Sequence, residues 1–429
     1  MDHVHAFGDD ALGDLDATGV AARIASGEAS AREVTEAAIV RAEKVNPALN
    51  GIQRANFEQA RADSAHPAGG VFPGVPTFVK DNTDVAGLPT NQGSLAVNGR
   101  PALDHAPFTK QFLSTGMTVL GKTTMPEFGF NATTEYENLP PTRNPWNTGY
   151  SSGASSGGSA VMVASGVVPI AHANDGGGSI RIPAAACGLV GLKPTRGRVV
   201  EAAEAAKMPV NVVVNGVLTR SVRDTAHFFA GVENHFRNPS FERLGLVEGS
   251  GTRRLRIGLL VDSITGEPTD DETRSTVLDT AKQLEALGHM VYEVPLPVGE
   301  KFIKDFVNYW GLLAFSTYHF GKKVMGPDFD KRHTATSAPC SRSATNSRPP
   351  NLSPASRTDF PHSSREPYVR HANTGVLRAQ RKSQRKCSWP GDSSYDAPST
   401  VMPDPCETVP IAVQPLGTTV SALNVATRA

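Results

Sequence analysis

The stretch "AHANDGGGSIRIPAAACGL" (residues 171–189) decides how this chain is read. Three consecutive glycines, Gly176, Gly177 and Gly178, stand directly before Ser179, and a small-residue apolar run follows. Glycine loses more conformational freedom on folding than any other residue, so a run of it is kept where the backbone must bend sharply or let another group come close. Taken alone, the stretch is also compatible with a glycine turn feeding a buried helix.

Working outward, residues 1–330 alternate between helix and strand signals. Ser30 and Glu33 form a capping-box pair before "VTEAAIVRAEKV", and Pro47 is expected to follow the end of that helix. "FPGVPTFVKD" (72–81) reads as a short buried strand, residues 107–115 as a helix ended by Gly116, and "MTVLGKT" as a strand. "GGSAVMVASG" (157–166) is a small-residue helix followed by the strand "VVPIAH". "LRIGLLVD" (255–262) is a strand. A helix from Asp270 carries Val277, Ala281 and Leu284 on one face and ends at Gly288, before the strand "HMVYEVPL". Helices between strands imply an α/β fold with a sheet covered on both faces.

The 429 residues carry 42 basic and 42 acidic side chains. This balance gives no global reason to expect nucleic acid or a membrane surface as partner. No apolar run approaches the ~20 residues of a membrane span. The opening "MDHVHAFGDD" lacks the basic and apolar regions of a signal peptide, so a cytoplasmic location is expected. The four cysteines, Cys187, Cys340, Cys387 and Cys406, form no metal-ligand pattern, and Cys187 in "AAACGLVG" reads as packing.

Two short patterns suggest other chemistry and fail on context. "GMTVLGKT" (116–123) matches the phosphate-loop spacing, but its middle is apolar and strand-like and a helix precedes it. "GASSG" (153–157) matches the nucleophile elbow of serine hydrolases, which needs a strand immediately before it. Here "RNPWNTGYSS" precedes it, and His172, His227 and His235 read as structural. The run "SSGASSGGSA" (151–160) sits between strand and helix signals, where a flexible linker does not belong.

Together, "GVPTFVKDN" (74–82), "RNPWNTGYSSGASSGGSAVMVASG" (143–166) and "NDGGGSIRIPAAACGLVGLKPTRGR" (174–198) resemble the amidase signature family. The likeness spans roughly residues 9–330 and is similar to the branch containing cyclic amide-dimer hydrolases. It implies a large mixed central sheet covered by helices on both faces, no cofactor or metal, a small-molecule amide as substrate, and a homodimer as a compatible assembly. It also implies a Ser–Ser–Lys triad: Ser179 as acylating nucleophile, Ser155, after a non-proline cis peptide, as proton bridge, and Lys80 as general base. The N–H groups of Gly176, Gly177, Gly178 and Ser179 would form the oxyanion hole, with Ser179 opening a helix whose dipole favours negative charge. Asp175 would hold the turn, and Arg181 would be a structural donor.

A base must be neutral, whereas a free lysine has a pKa of ~10.4. Burial against "VPTFV" would lower it; the plain alternative is a surface lysine beside Asp81. The resulting expectation is an amidase acting on linear or cyclic carboxamides through an acyl-enzyme. Two rivals are a glutaminase subunit of an amidotransferase and an inactive homologue.

The second rival rests on the tail. Residues 331–429 hold 13 basic and 6 acidic residues, a net +7 against −7 for the rest. The tail is rich in Ser and Pro, and "KRHTATSAPCSRSATNSRPPNLSPASR" has no apolar period of either kind. The expected division is therefore 1–330 as an incomplete amidase domain and 331–429 as an atypical tail, read as the product of a frame change. Such a chain would leave a sheet edge and apolar helix faces uncovered and would be poorly soluble and weakly active.

Overall fold

The computed structural model describes residues 3–325, apart from 98, 137–138, 203–204, 206–207, 264–267 and 297, together with residue 329 and the segments 408–414 and 422–424. The helices are α1 (Ala17–Ala25), α2 (Ala31–Leu49), α3 (Phe57–Asp63), α4 (Pro107–Leu113), α5 (Gly157–Ala164), α6 (Arg181–Cys187), α7 (Val222–His235), α8 (Asp271–Ala286) and α9 (Glu300–Met325). The strands are β1 (Ile52–Ala55), β2 (Pro76–Lys80), β3 (Thr118–Thr123), β4 (Ile170–Asp175), β5 (Val190–Gly191), β6 (Val214–Thr219), β7 (Arg256–Leu260), β8 (Met290–Glu293), β9 (Thr408–Gln414) and β10 (Ala422–Asn424).

Local chemistry explains the element starts. Ser30 caps α2 with the full reciprocal capping box, its Oγ accepting the Glu33 N–H and Glu33 accepting the Ser30 N–H. Pro47 lies inside the last turn of α2, not after it, and Asn50 ends the helix in left-handed backbone. Asp270 accepts the Thr273 N–H to cap α8, and Val277 and Ala281 are buried as their spacing predicts.

The strands pair in three groups, β1–β3–β2, β4–β6–β5 and β10–β9–β7–β8, with both parallel and antiparallel neighbours. β2 and β4 are linked through side chains. Thr77 Oγ1 donates to the Ile170 carbonyl at 2.9 Å, and the Lys80 N–H donates to His172 Nδ1 at 3.2 Å. Every residue of β2, β3, β4 and β6 is buried, as is every residue of α5. Fully buried strands read as continuous apolar runs, and only a specific gain retains lysines there.

The expected break at 330 falls on residues outside those described. Within the tail, "TVPIAVQ" (408–414), a β-branched run not singled out above, forms β9 parallel to β7, and β10 pairs with β9. No helix among the described residues is long and apolar enough to cross a membrane.

Candidate active site

Lys80 ends β2 with no solvent exposure (0%). That overturns the reading of a surface lysine beside Asp81. The Asp81 carboxylate instead lies 3.4 Å from Lys122 Nζ and accepts the N–H groups of Asn91 and Gly93. Lys80 Nζ donates to Ser155 Oγ and to Asn174 Oδ1, both at 2.7 Å. Both partners are neutral, so among the described residues no charge in contact with the ammonium compensates its desolvation. Burial therefore pulls the Lys80 pKa from 10.5 to about 7, opposed by the more distant charge of Asp175.

Ser155 follows a cis Ala154–Ser155 peptide, as the resemblance implied. The segment before it is loop, and α5 starts two residues later, so the strand required by a nucleophile elbow is missing. The phosphate-loop look-alike fares no better. Its residues 118–123 are β3, buried throughout, with Lys122 inside.

His172 and Asn174 lie on one face of β4, two residues apart. Nδ1 of His172 accepts the Lys80 N–H, so Nε2 carries the proton toward Asn215 Oδ1 at 3.3 Å. Burial holds the imidazole neutral, with its pKa down at about 3. Asn174 completes the Lys80 surroundings and donates through Nδ2 to Asn82 Oδ1 at 3.0 Å. Period-two alternation in "AHAND" was the available signal for Asn174, which the sequence reading did not single out.

The glycine run departs from expectation in two ways. Asp175 accepts the Gly178 N–H at 2.8 Å and the Ile180 N–H at 3.2 Å, and receives Arg181 Nε at 2.8 Å and Nη2 at 3.0 Å. The Gly178 N–H is therefore already engaged and is removed from the expected oxyanion donors. Gly176, Gly177 and Ser179 have no N–H bond among the described residues. Burial pushes the Asp175 carboxyl up, but Arg181 and the two N–H groups outweigh it, and the group lies below the usual carboxylate range. Second, Ser179 does not open a helix: α6 starts at Arg181, and Ser179 sits in the turn before it. Gly178 is required by its backbone (φ +129°), and a Cβ there would come within 2.6 Å of Ile182 Cδ1.

Ser155, Ser179, Asn174 and Gly176 line one cavity of about 180 Å³. The other walls include Gln92, Phe128, Phe130, Met208, Trp310 and Leu313, none singled out from sequence. Trp310 donates through Nε1 to the Phe130 carbonyl at 3.1 Å. Its ring lies about 3.5 Å from where a Cβ on Gly177 would stand. No hydrogen bond joins the two serine hydroxyls among the described residues; such contacts often tighten only when substrate binds.

A family model described as Amidase matches residues 33–387, running past the expected boundary at 330. The chain is 52% identical over 332 residues to AmiC, a protein of Mycobacterium leprae (strain TN) designated an amidase, covering 77% of this chain and 71% of that one. It is 39% identical over 307 residues to 6-aminohexanoate-cyclic-dimer hydrolase of Paenarthrobacter ureafaciens, covering 68% of this chain and 62% of that one. A solved structure of 6-aminohexanoate cyclic dimer hydrolase complexed with substrate superposes with a TM-score of 0.69 at 31% identity, covering 78% of this chain and 73% of that one.

Proposed function

The chain belongs to the amidase signature family, a family of C–N hydrolases, and from that premise we propose that it cleaves small carboxamides, linear or cyclic, through an acyl-enzyme on Ser179. The observation that carries this reading is the 2.7 Å contact between Ser155 Oγ and a fully buried Lys80 whose pKa is about 7. A neutral Lys80 keeps one N–H for Asn174 Oδ1 and turns its lone pair to the Ser155 hydroxyl. Ser155 passes its proton to Lys80 Nζ and takes the Ser179 proton, while Ser179 Oγ attacks the amide carbonyl. The N–H groups of Gly176, Gly177 and Ser179 are the donors open to the oxyanion, each worth ~3–4 kcal/mol in the transition state. The same relay returns a proton to the departing amine. Water then enters, loses a proton along the relay and releases the carboxylate.

Incubation with hexanamide and hydroxylamine tests this. Acyl transfer predicts hexanohydroxamate beside hexanoate and ammonia, all three lost in Ser179→Ala. Hydrolysis without hydroxamate, or turnover surviving in Ser179→Ala, contradicts it.

A further inference from the structure

Among the described residues, three non-glycine positions have left-handed backbone: Asn50 (φ +51°), Gln92 (φ +54°) and Phe128 (φ +53°). Asn50 ends α2, where that conformation is ordinary. Gln92 and Phe128 end no regular helix of that kind, yet both line the cavity holding Ser155 and Ser179. They are joined through the backbone, the Phe128 N–H donating to the Gln92 carbonyl at 2.8 Å.

Gln92 is held through its own N–H and through both neighbours. Its N–H donates to the Asp81 carbonyl at 3.0 Å. Both neighbours, Asn91 and Gly93, donate their N–H groups to the Asp81 carboxylate at 3.3 Å. That carboxylate faces buried Lys122, whose Nζ also donates to Thr90 Oγ1 at 2.9 Å. A Cβ on Gly93 would fall 2.2 Å from the Met125 carbonyl, so the loop lies directly on the segment leading to Phe128. Buried ion pairs and left-handed non-glycine backbone both oppose folding and persist where the surroundings hold them. What this arrangement delivers is Gln92 on the cavity wall, with a carboxamide that has no hydrogen-bond partner among the described residues.

We propose that Gln92 is a substrate-binding residue that sets specificity: its carboxamide takes a second, neutral polar group of the substrate, remote from the scissile bond. The group offers an acceptor and two donors without charge. The cavity lining among the described residues includes Phe128, Phe130, Met208, Trp310 and Leu313 and no ionisable acid or base, so these walls suit a neutral group better than a charged one. The substrate class is a mainly apolar amide carrying a further neutral amide or hydroxyl. This inference rests on the amide-hydrolysis reading.

The test compares hexanediamide with hexanamide, which share a six-carbon chain and differ by one neutral amide. Two readouts are taken: the ratio of their kcat/KM values, and the ratio of their potencies in slowing fluorophosphonate labelling, which needs binding but no turnover. The wild type should prefer hexanediamide. Gln92→Ala and Gln92→Gly should each reduce that preference by about 2–12-fold, the worth of one neutral hydrogen bond. Gln92→Gly also relieves the left-handed backbone, so its loss cannot be assigned to strain. Proportional loss on both amides, or an unchanged ratio, overturns the proposal, as does a wild type with no preference. If both amides slow labelling but neither is hydrolysed, the amide-hydrolysis reading fails and the labelling ratio still decides the role of Gln92.

Discussion

Two lysines lie on neighbouring parallel strands, both without solvent exposure, and their surroundings separate them completely. In the register of β2 and β3, Val79 is opposite Lys122 and Lys80 opposite Thr123. Lys122 faces the Asp81 carboxylate and the Thr90 hydroxyl. Lys80 donates to the neutral oxygens of Ser155 and Asn174. Burial lowers the pKa of both, but for Lys122 the next largest influence is the opposing charge of Asp81, in direct contact. Equal burial thus leaves Lys122 against a carboxylate in direct contact and Lys80 with neutral contacts and only the more distant charge of Asp175, the surroundings that the proposed role of Lys80 as proton acceptor requires.

Removing the acceptor should have the largest effect. Lys80→Ala is expected to lower turnover by about 10²–10⁴-fold, the usual worth of a general base. Lys80→Arg should not restore it, because guanidinium stays protonated. Steady-state assays on a hydrolysed amide check both; near-normal turnover in Lys80→Ala breaks the contrast.

The ion pair should matter to stability instead. Lys122→Met leaves Asp81 buried and unpaired and is expected to cost about 3–5 kcal/mol in denaturant unfolding, part of it recovered by adding Asp81→Asn. A loss below about 1 kcal/mol would show that the pair is not a buried ion pair in solution.

Lys80→Met should do the reverse and stabilise the protein near pH 7 by about 2 kcal/mol. The folded-state pKa of Lys80 is depressed, so between about 7 and 10.5 the unfolded chain binds more protons than the folded one. Stability of the unmutated protein therefore rises with pH across that window, and the advantage of Lys80→Met should fade as pH climbs from 7 toward 10.5. An advantage that grows with pH contradicts the shift. The smallest expected effect is that of Thr90→Val, which removes one hydroxyl from Lys122 and should cost ~1 kcal/mol.

Much of the candidate site was legible because its signals are local or carried by the resemblance. Lys80 in "FVKD", Ser155 in its serine–glycine run and Ser179 after three glycines could each be placed before any coordinates. What stayed hidden depends on partners that only the fold supplies. Asp81 and Lys122 are 41 positions apart and meet through the β2–β3 pairing, which leaves no trace in either neighbourhood. Gln92 and Phe128 are left-handed, the one bonded to Asp81 and both to each other, and neither residue type favours that backbone. The engaged Gly178 N–H was within reach of sequence reasoning, since Asp commonly accepts an N–H two or three residues on. The aromatic wall from α9 was not, because the helix lies more than 120 residues from the serine it approaches.

The most direct test of the account is the pH dependence of fluorophosphonate labelling, with the adduct located by peptide mapping. The rate should rise from pH 6 to 8 with a midpoint at about 7, as Lys80 loses its proton. The adduct should sit on Ser179, and Lys80→Ala should abolish the rise. A rate independent of pH across that interval, or an adduct on Ser155, would contradict the assignment of Lys80 as a neutral base serving Ser179.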